Sequence, residues 1–374
     1  MTLAIRPGFV RGASLSLAVV AGAALPCAAQ PTAAPAAPEP SPSPTPEAPG
    51  VQVGGFVDVY YGYNFNEVDP ILRTYDVQHN AFSLSAAEVN LAKVPTAESR
   101  LGFRTDLWFG KAADLTALFE PEDDGKEIYK HVQQAYVSLL TGKVQWDAGK
   151  FVTPMGAEVI ESQDNWNYSR SILFGYAIPF YHVGLRASLP VNDKLSLGAQ
   201  LVNGWNNASE INGNKTTHLS ATVKPTAAFT WIGNYMVGKE TVDSDDNRHL
   251  FDTTLTVAAT SKLSLMGNFD YGKEGGVEWW GIAAYAKVQV APSWAVAGRY
   301  EYLDDAEGGF MTIGTKAQSI TVTSDHTIAG GLRARVEYRT DFADEDIFDD
   351  DAGESKGSQT TLTVGVVYSF GGSI

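Results

Sequence analysis

From residue 332 to 339 the chain alternates Leu332, Ala334, Val336 and Tyr338 with Arg333, Arg335, Glu337 and Arg339. Successive side chains of an extended strand point to opposite faces, so four ionisable groups share one face and the apolar set the other. Burying such a row in a dry core is costly, and its natural chemistry is that of a wall against water. The same polar parity holds Asp58, Glu88, Arg104, Asp106, Asp147, Arg186, Lys224, Asp252, Asp270, Lys287, Arg299 and Glu301. Opposed acidic and basic ladders around a lumen order water and tune which small solutes or ions pass. The competing use of these residues is to pair across strands and stiffen the wall.

A second candidate is the stretch 152–179, too long for an ordinary hairpin connection and distinct in composition. Glu158, Glu161, Asp164, Trp166, Asn167, Tyr168 and Arg170 combine charge, amide and aromatic groups suited to a pore constriction. Folded inward, the stretch would set a size limit. Folded outward it would be a cap, with Trp166 and Tyr168 as packing anchors.

No enzyme constellation stands out, and no catalytic residue, cofactor or metal site is expected. His79, His131, His182, His218, His249 and His326 are scattered, with no HExxH motif. No serine sits in a nucleophile elbow, although spacing alone leaves open a Ser-His-acid arrangement across strands. The acidic residues Asp341, Asp344, Glu345, Asp346, Asp349, Asp350, Asp351 and Glu354 could collect Ca²⁺ or Mg²⁺, or meet lipopolysaccharide phosphates through them. Their spacing lacks an EF-hand loop, and a solvated, mutually repelling face is the simpler reading. At an outer mouth it would favour cations weakly.

The elements that must position these residues are strands. In the last one, 360–370, Leu362, Val364, Val366, Tyr368 and Phe370 share one parity, while Thr361, Thr363, Gly365, Val367 and Ser369 share the other. Strands are expected at 53–64, 82–93, 101–109, 132–140, 144–151, 181–189, 194–203, 215–224, 227–238, 248–258, 261–272, 278–288, 293–303, 317–324, 327–340 and 357–370. Short turns are expected at Pro190 to Asp193, Pro225-Thr226, Ala259-Thr260, Ala291-Pro292 and Asp325-His326, alternating with mostly longer, acidic connections such as 239–247, 304–307 and 341–354. Residues 110–131, with an acidic patch at 120–127, fit either a loop with local structure or two short strand ends. The fold class expected is all-β: a transmembrane antiparallel up-and-down β-barrel of sixteen strands, or 14 or 18 if the weak segments read differently. No run of 18 apolar residues occurs after the N-terminus.

Residues 1–29 read as a signal peptide: Arg6 and Arg11, an apolar run from Ala13 to Leu25, and small residues at Cys27 and Ala29 before Gln30. Residues 30–50 are Pro/Ala-rich and suit a disordered periplasmic spacer, 51–370 the barrel, and 371–374 a short extension after Phe370. The formal charge is −16; without Arg6 and Arg11, 25 basic residues face 43 acidic ones, a charge of −18. Such a chain is a poor partner for nucleic acid.

The segment WDAGKFVTPMGAEVIESQDNWNYSRSILFGYAIPFYHVGLR at 146–186 resembles the signature region of the OmpL-like beta-barrel porins of Gram-negative outer membranes. GGFVDVYYGYNFN at 54–66, YKHVQQAYVS at 129–138, LRARVEYRTD and TLTVGVVYSF extend the likeness over roughly 51–370. The resemblance implies an outer-membrane, porin-like protein without an assured substrate. The leading expectation is passive diffusion of small hydrophilic solutes or ions through a water-filled barrel, constricted by 152–179 and weakly cation-preferring. A sugar- or peptide-specific channel and an occluded structural or adhesive barrel are the alternatives. Expected partners are outer-membrane lipids, lipopolysaccharide and small hydrophilic solutes. A homotrimer is compatible with this size, and both barrel termini should be periplasmic.

Overall fold

The computed structural model describes residues 50–118, 120, 129–242, 244–308 and 313–373. The leader and spacer expected at 1–49 lie outside the described residues, as does the 120–127 acidic patch except Glu120.

Sixteen antiparallel strands close into a single barrel. They are β1 (Gln52–Asn64), β2 (Ala81–Lys93), β3 (Leu101–Phe109), β4 (Val132–Thr141), β5 (Val144–Val152), β6 (Tyr181–Asn192), β7 (Leu195–Val202) and β8 (Thr216–Thr226). There follow β9 (Phe229–Gly238), β10 (Arg248–Ala258), β11 (Leu263–Glu274), β12 (Val277–Ala291), β13 (Trp294–Asp304), β14 (Lys316–Ala329), β15 (Leu332–Ala343) and β18 (Ser358–Ser373). The two-residue strands β16 (Phe348–Asp349) and β17 (Ser355–Lys356) form a separate small sheet in the β15–β18 connection. Each barrel strand pairs with its sequence neighbours, and β1 meets β18 from Gln52↔Ser373 to Asn64↔Thr361. Closure leaves no strand edge unpaired, which a lipid environment demands.

The alternation sorts as its chemistry requires. Phe82, Leu101, Val137, Leu219 and Tyr338 lie exposed on the outer face, while Asp106, Asp252, Glu301, Arg335 and Arg339 lie buried on the inner one. Outward aromatics gather toward both ends. Tyr61 lies tilted against Phe82 (5.0 Å) and Trp280 against Tyr302 (5.1 Å) at one end, and Trp294 stacks on His326 (5.7 Å) at the other. Such girdles suit the two membrane interfaces. Phe370 also faces outward, and β18 continues past it to Ser373.

Turn positions differ from the sequence reading. Asp325 and His326 are not a turn but lie inside β14, and the reversal falls at 330–331. Likewise β8 runs through Pro225-Thr226 and β12 through Ala291, so those turns lie at 227–228 and 292–293, and the β6–β7 turn lies at 193–194. Asp325 looks like a turn former yet is a luminal strand residue paired with Arg335, and His326 faces outward beside Trp294: in a barrel around water, polarity does not mark a loop. Asp341 is in β15 for the same reason, and Asp304 ends β13 on the outer face beside Tyr302, paired with Lys316 at 3.1 Å; neither lies in an acidic loop. Within 110–131 the described residues form a helix, α1 (Lys111–Ala117), rather than strand ends. One end of the barrel therefore carries both described termini and mostly short turns, and the other most of the longer connections, the two-residue β11–β12 turn at 275–276 excepted.

Candidate functional site

The connection between β5 and β6 folds into the barrel. Its only regular pieces are a single turn at Ser162–Asp164 and α2 (Ile172–Tyr176), which Ser171 caps by accepting from Phe174 N–H at 3.0 Å. An irregular backbone inside a membrane protein has carbonyls and amides that need partners. The luminal ladders of β13 to β15 supply them. Arg335 donates to the carbonyls of Ser162 (2.5 Å) and Asn165 (2.8 Å), Arg333 to that of Gln163 (2.6 Å), Arg299 to that of Ser169 (2.7 Å) and Arg339 to that of Arg170 (2.6 Å). Glu337 accepts from Tyr168 N–H (2.6 Å) and Ser169 N–H (3.0 Å), and Glu301 from Ile172 N–H.

The arginines are themselves paired. Arg299 lies between Glu158 (2.7 Å) and Glu301 (3.2 Å), Arg335 reaches Asp325 (3.2 Å), and Arg339 reaches Asp341 (2.7 Å). Asp341 also holds Arg73 at 2.9 Å, drawing in the 65–80 connection, where Tyr75 lies under the Arg170 guanidinium at 4.9 Å. Arg73, Asp325 and Asp341 are members of this ion-pair network that sequence reading missed. Two of them looked like loop residues, and Arg73 sits in a connection without distinctive composition.

The seven loop residues singled out by sequence divide into two groups. Glu158, Asn167, Tyr168 and Arg170 are buried against the wall. Asn167 donates to Thr323 Oγ1 at 2.7 Å, Tyr168 Oη to Asp58 at 2.9 Å, and Arg170 to the Tyr168 carbonyl at 2.7 Å and to the Ile160 carbonyl. Trp166 is half-buried edge-on to Tyr285, whereas Glu161 is partly open and Asp164 exposed. Among the wall residues, Arg299, Glu301, Arg335, Glu337 and Arg339 serve the loop and are almost wholly covered. Arg104 pairs with Asp106 at 2.8 Å and Arg186 with Asp147 at 2.8 Å, each arginine side chain keeping 38% and 20% exposure, and Arg333 keeps 33%. Lys224 is half-buried. The charged groups left partly open in the lumen include Arg104, Arg186, Arg333, Lys224, Lys287, Glu161 and Asp164. In the β15–β18 connection, the hydrogen bond from Glu354 N–H at 2.9 Å and, after it, Lys356 at 3.1 Å hold the Asp350 carboxyl below its ordinary value.

Gly365 explains how the loop tip fits. A Cβ there would lie 2.4 Å from the Tyr168 ring, and one at Gly281 would lie 2.9 Å from Leu173. These two luminal glycines are notches for the loop. Gly365→Val should displace Tyr168, costing about 1–3 kcal/mol as overpacking does, and hydrogen–deuterium exchange should show faster exchange over 165–170. Unchanged protection there would mean that the notch does not seat the tip.

Comparison with known proteins agrees with this architecture. Residues 50–370 match the model of a family described as "Putative beta-barrel porin-2, OmpL-like". The chain belongs to this family. It is accordingly a porin of the Gram-negative outer membrane. The outer membrane channel DcaP of Acinetobacter baumannii is similar in structure, with a TM-score of 0.59 at 12% identity, over 86% of this chain and 97% of that one. An anion-selective porin from Comamonas acidovorans gives 0.58 at 14%, over 86% and 99%. OmpT of Vibrio cholerae in a trimer form gives 0.56 at 11%, over 86% and 99%. At these identities the likeness concerns the fold alone. No curated protein matches the chain.

Proposed function

We propose that this porin is a narrow diffusion channel for small hydrophilic solutes and ions, with the loop 152–179 as a fixed constriction. The observation that carries the reading is the seating of the loop across the lumen, with the covered charges of β13 to β15 on one side and Arg104, Arg186, Glu161 and Asp164 left open on the other. Solute passes between the loop and the wall formed by β2 to β9, and the size limit follows from the loop's position. The acidic outer connections favour cations weakly at that mouth. The short-turn end, with both barrel termini, faces the periplasm, as is general for such barrels, and the protein works as a homotrimer in a bilayer of lipid and lipopolysaccharide. The trimer form of a similar fold supports the last point.

Planar-bilayer recording of the purified protein tests the reading. Small ohmic steps with exclusion of larger solutes are expected. A folded barrel that carries no current would favour the occluded structural alternative, for which the near-complete burial of Arg299, Glu301 and Asp341 is the relevant observation.

A further inference from the structure

At the short-turn end a cavity of about 760 Å³ opens between β6 and β9. Its size lies within the range of small-ligand sites, ~300–1,000 Å³. Lys143, Lys194 and Lys224 line it, contributed by three successive hairpins. Lys224 shares the inward parity of His218 and Thr222, and its N–H donates to the Lys194 carbonyl at 2.8 Å, making the two lysines cross-strand neighbours. The Lys143 Nζ lies 3.5 Å from the Val191 carbonyl, across the adjoining turn.

The three lysines differ from the luminal arginines in one respect. Each luminal arginine on the wall, from Arg104 to Arg339, has a carboxylate partner. Lys143, Lys194 and Lys224 have none among the described residues, although Asp193 lies on the rim of the same cavity. Like charges placed side by side on a sheet repel, and a concave low-dielectric wall focuses their field. Below them the cavity offers neutral groups that orient oxygen atoms. Ser196 and Thr222 are cross-strand partners facing inward. Ammonium groups act as point charges toward phosphate oxygens, with hydroxyls as additional donors.

We propose that this vestibule binds small phosphate-type polyanions, held by Lys143, Lys194 and Lys224 and oriented by Ser196 and Thr222. The proposal rests on reading the lumen as a hydrated solute path, but it requires only the cavity and not conduction. The shared chemistry is a phosphate group, free in solution or carried by a lipid.

Inorganic pyrophosphate titrated into the full barrel in a non-phosphate detergent, read by ³¹P line broadening, tests it. Saturable binding is expected, weakened about tenfold or more in K194E/K224E. K239E/K316E, which makes the same charge change at the opposite end, should alter it less than about twofold. Heat-modifiable gel mobility checks that both variants are folded. Displacement by free phosphate identifies a soluble ligand, and displacement only by phosphatidylglycerol in mixed micelles identifies a headgroup; either supports the site. Absence of saturable binding, or equal loss in both variants, overturns it. A barrel that binds pyrophosphate yet passes no current keeps this site and loses the pore reading, so the two fail separately.

Discussion

Replacing Arg299 with leucine should raise single-channel conductance by about twofold or more and turn a steady current into a flickering one. Arg299 is the cation between Glu158 on the loop and Glu301 on the wall, and it also donates to the Ser169 carbonyl. Removing one member of a buried ion pair typically costs about 3–5 kcal/mol, because the other charge stays buried without compensation. Here two carboxylates and a loop carbonyl lose their partner together. The loop is the element able to move, since the wall is held by ladder hydrogen bonds on both sides of β13. Arg299→Lys should be intermediate: it keeps the charge but not the planar fork that reaches Glu158, the Ser169 and Arg170 carbonyls and Thr321 together. Conductance equal to wild type in Arg299→Leu, with the barrel folded, would mean that the loop is not what narrows the channel.

Neutralising Glu161 and Asp164 together should shift the reversal potential toward anions by roughly 10 mV in a tenfold salt gradient. These are the two loop carboxylates with access to the open lumen. Glu158→Gln is the informative comparison. That carboxylate is buried, accepting from Ser171 N–H at 2.6 Å and Arg299 at 2.7 Å. Its neutralisation should loosen the loop while leaving selectivity nearly unchanged. Three acidic residues within seven positions of one loop thus separate into one buried against Arg299 and two with open carboxylates, a division that no spacing rule supplies.

What was legible in the sequence follows from the period of two. Inside and outside could be assigned wherever apolar and polar residues alternate, and Arg333 to Arg339 fell on the inner face as that pattern demands. The same physics caused the errors at Asp325-His326 and Asp341. A lumen tolerates carboxylates in mid-strand, so a polar pair there resembles a turn until the partner register is known. The helix α1, seven residues of mixed polarity, is too short to announce itself by periodicity. The seat of the central loop was hidden for another reason. It depends on carbonyls meeting guanidinium groups 130 to 173 positions away and on two glycines that leave room for Tyr168 and Leu173, and composition holds no trace of either.

The central claim is that water and solute pass beside the seated loop. The sequence contains a single cysteine, Cys27, within the expected leader, so a cysteine placed at Asp164 can be addressed with a water-soluble, negatively charged thiol reagent during bilayer recording. The reagent should modify Asp164→Cys and cut the current stepwise, and should leave the lipid-facing control Val137→Cys unaffected. Current unchanged after confirmed modification at 164, or block through position 137, would contradict the account.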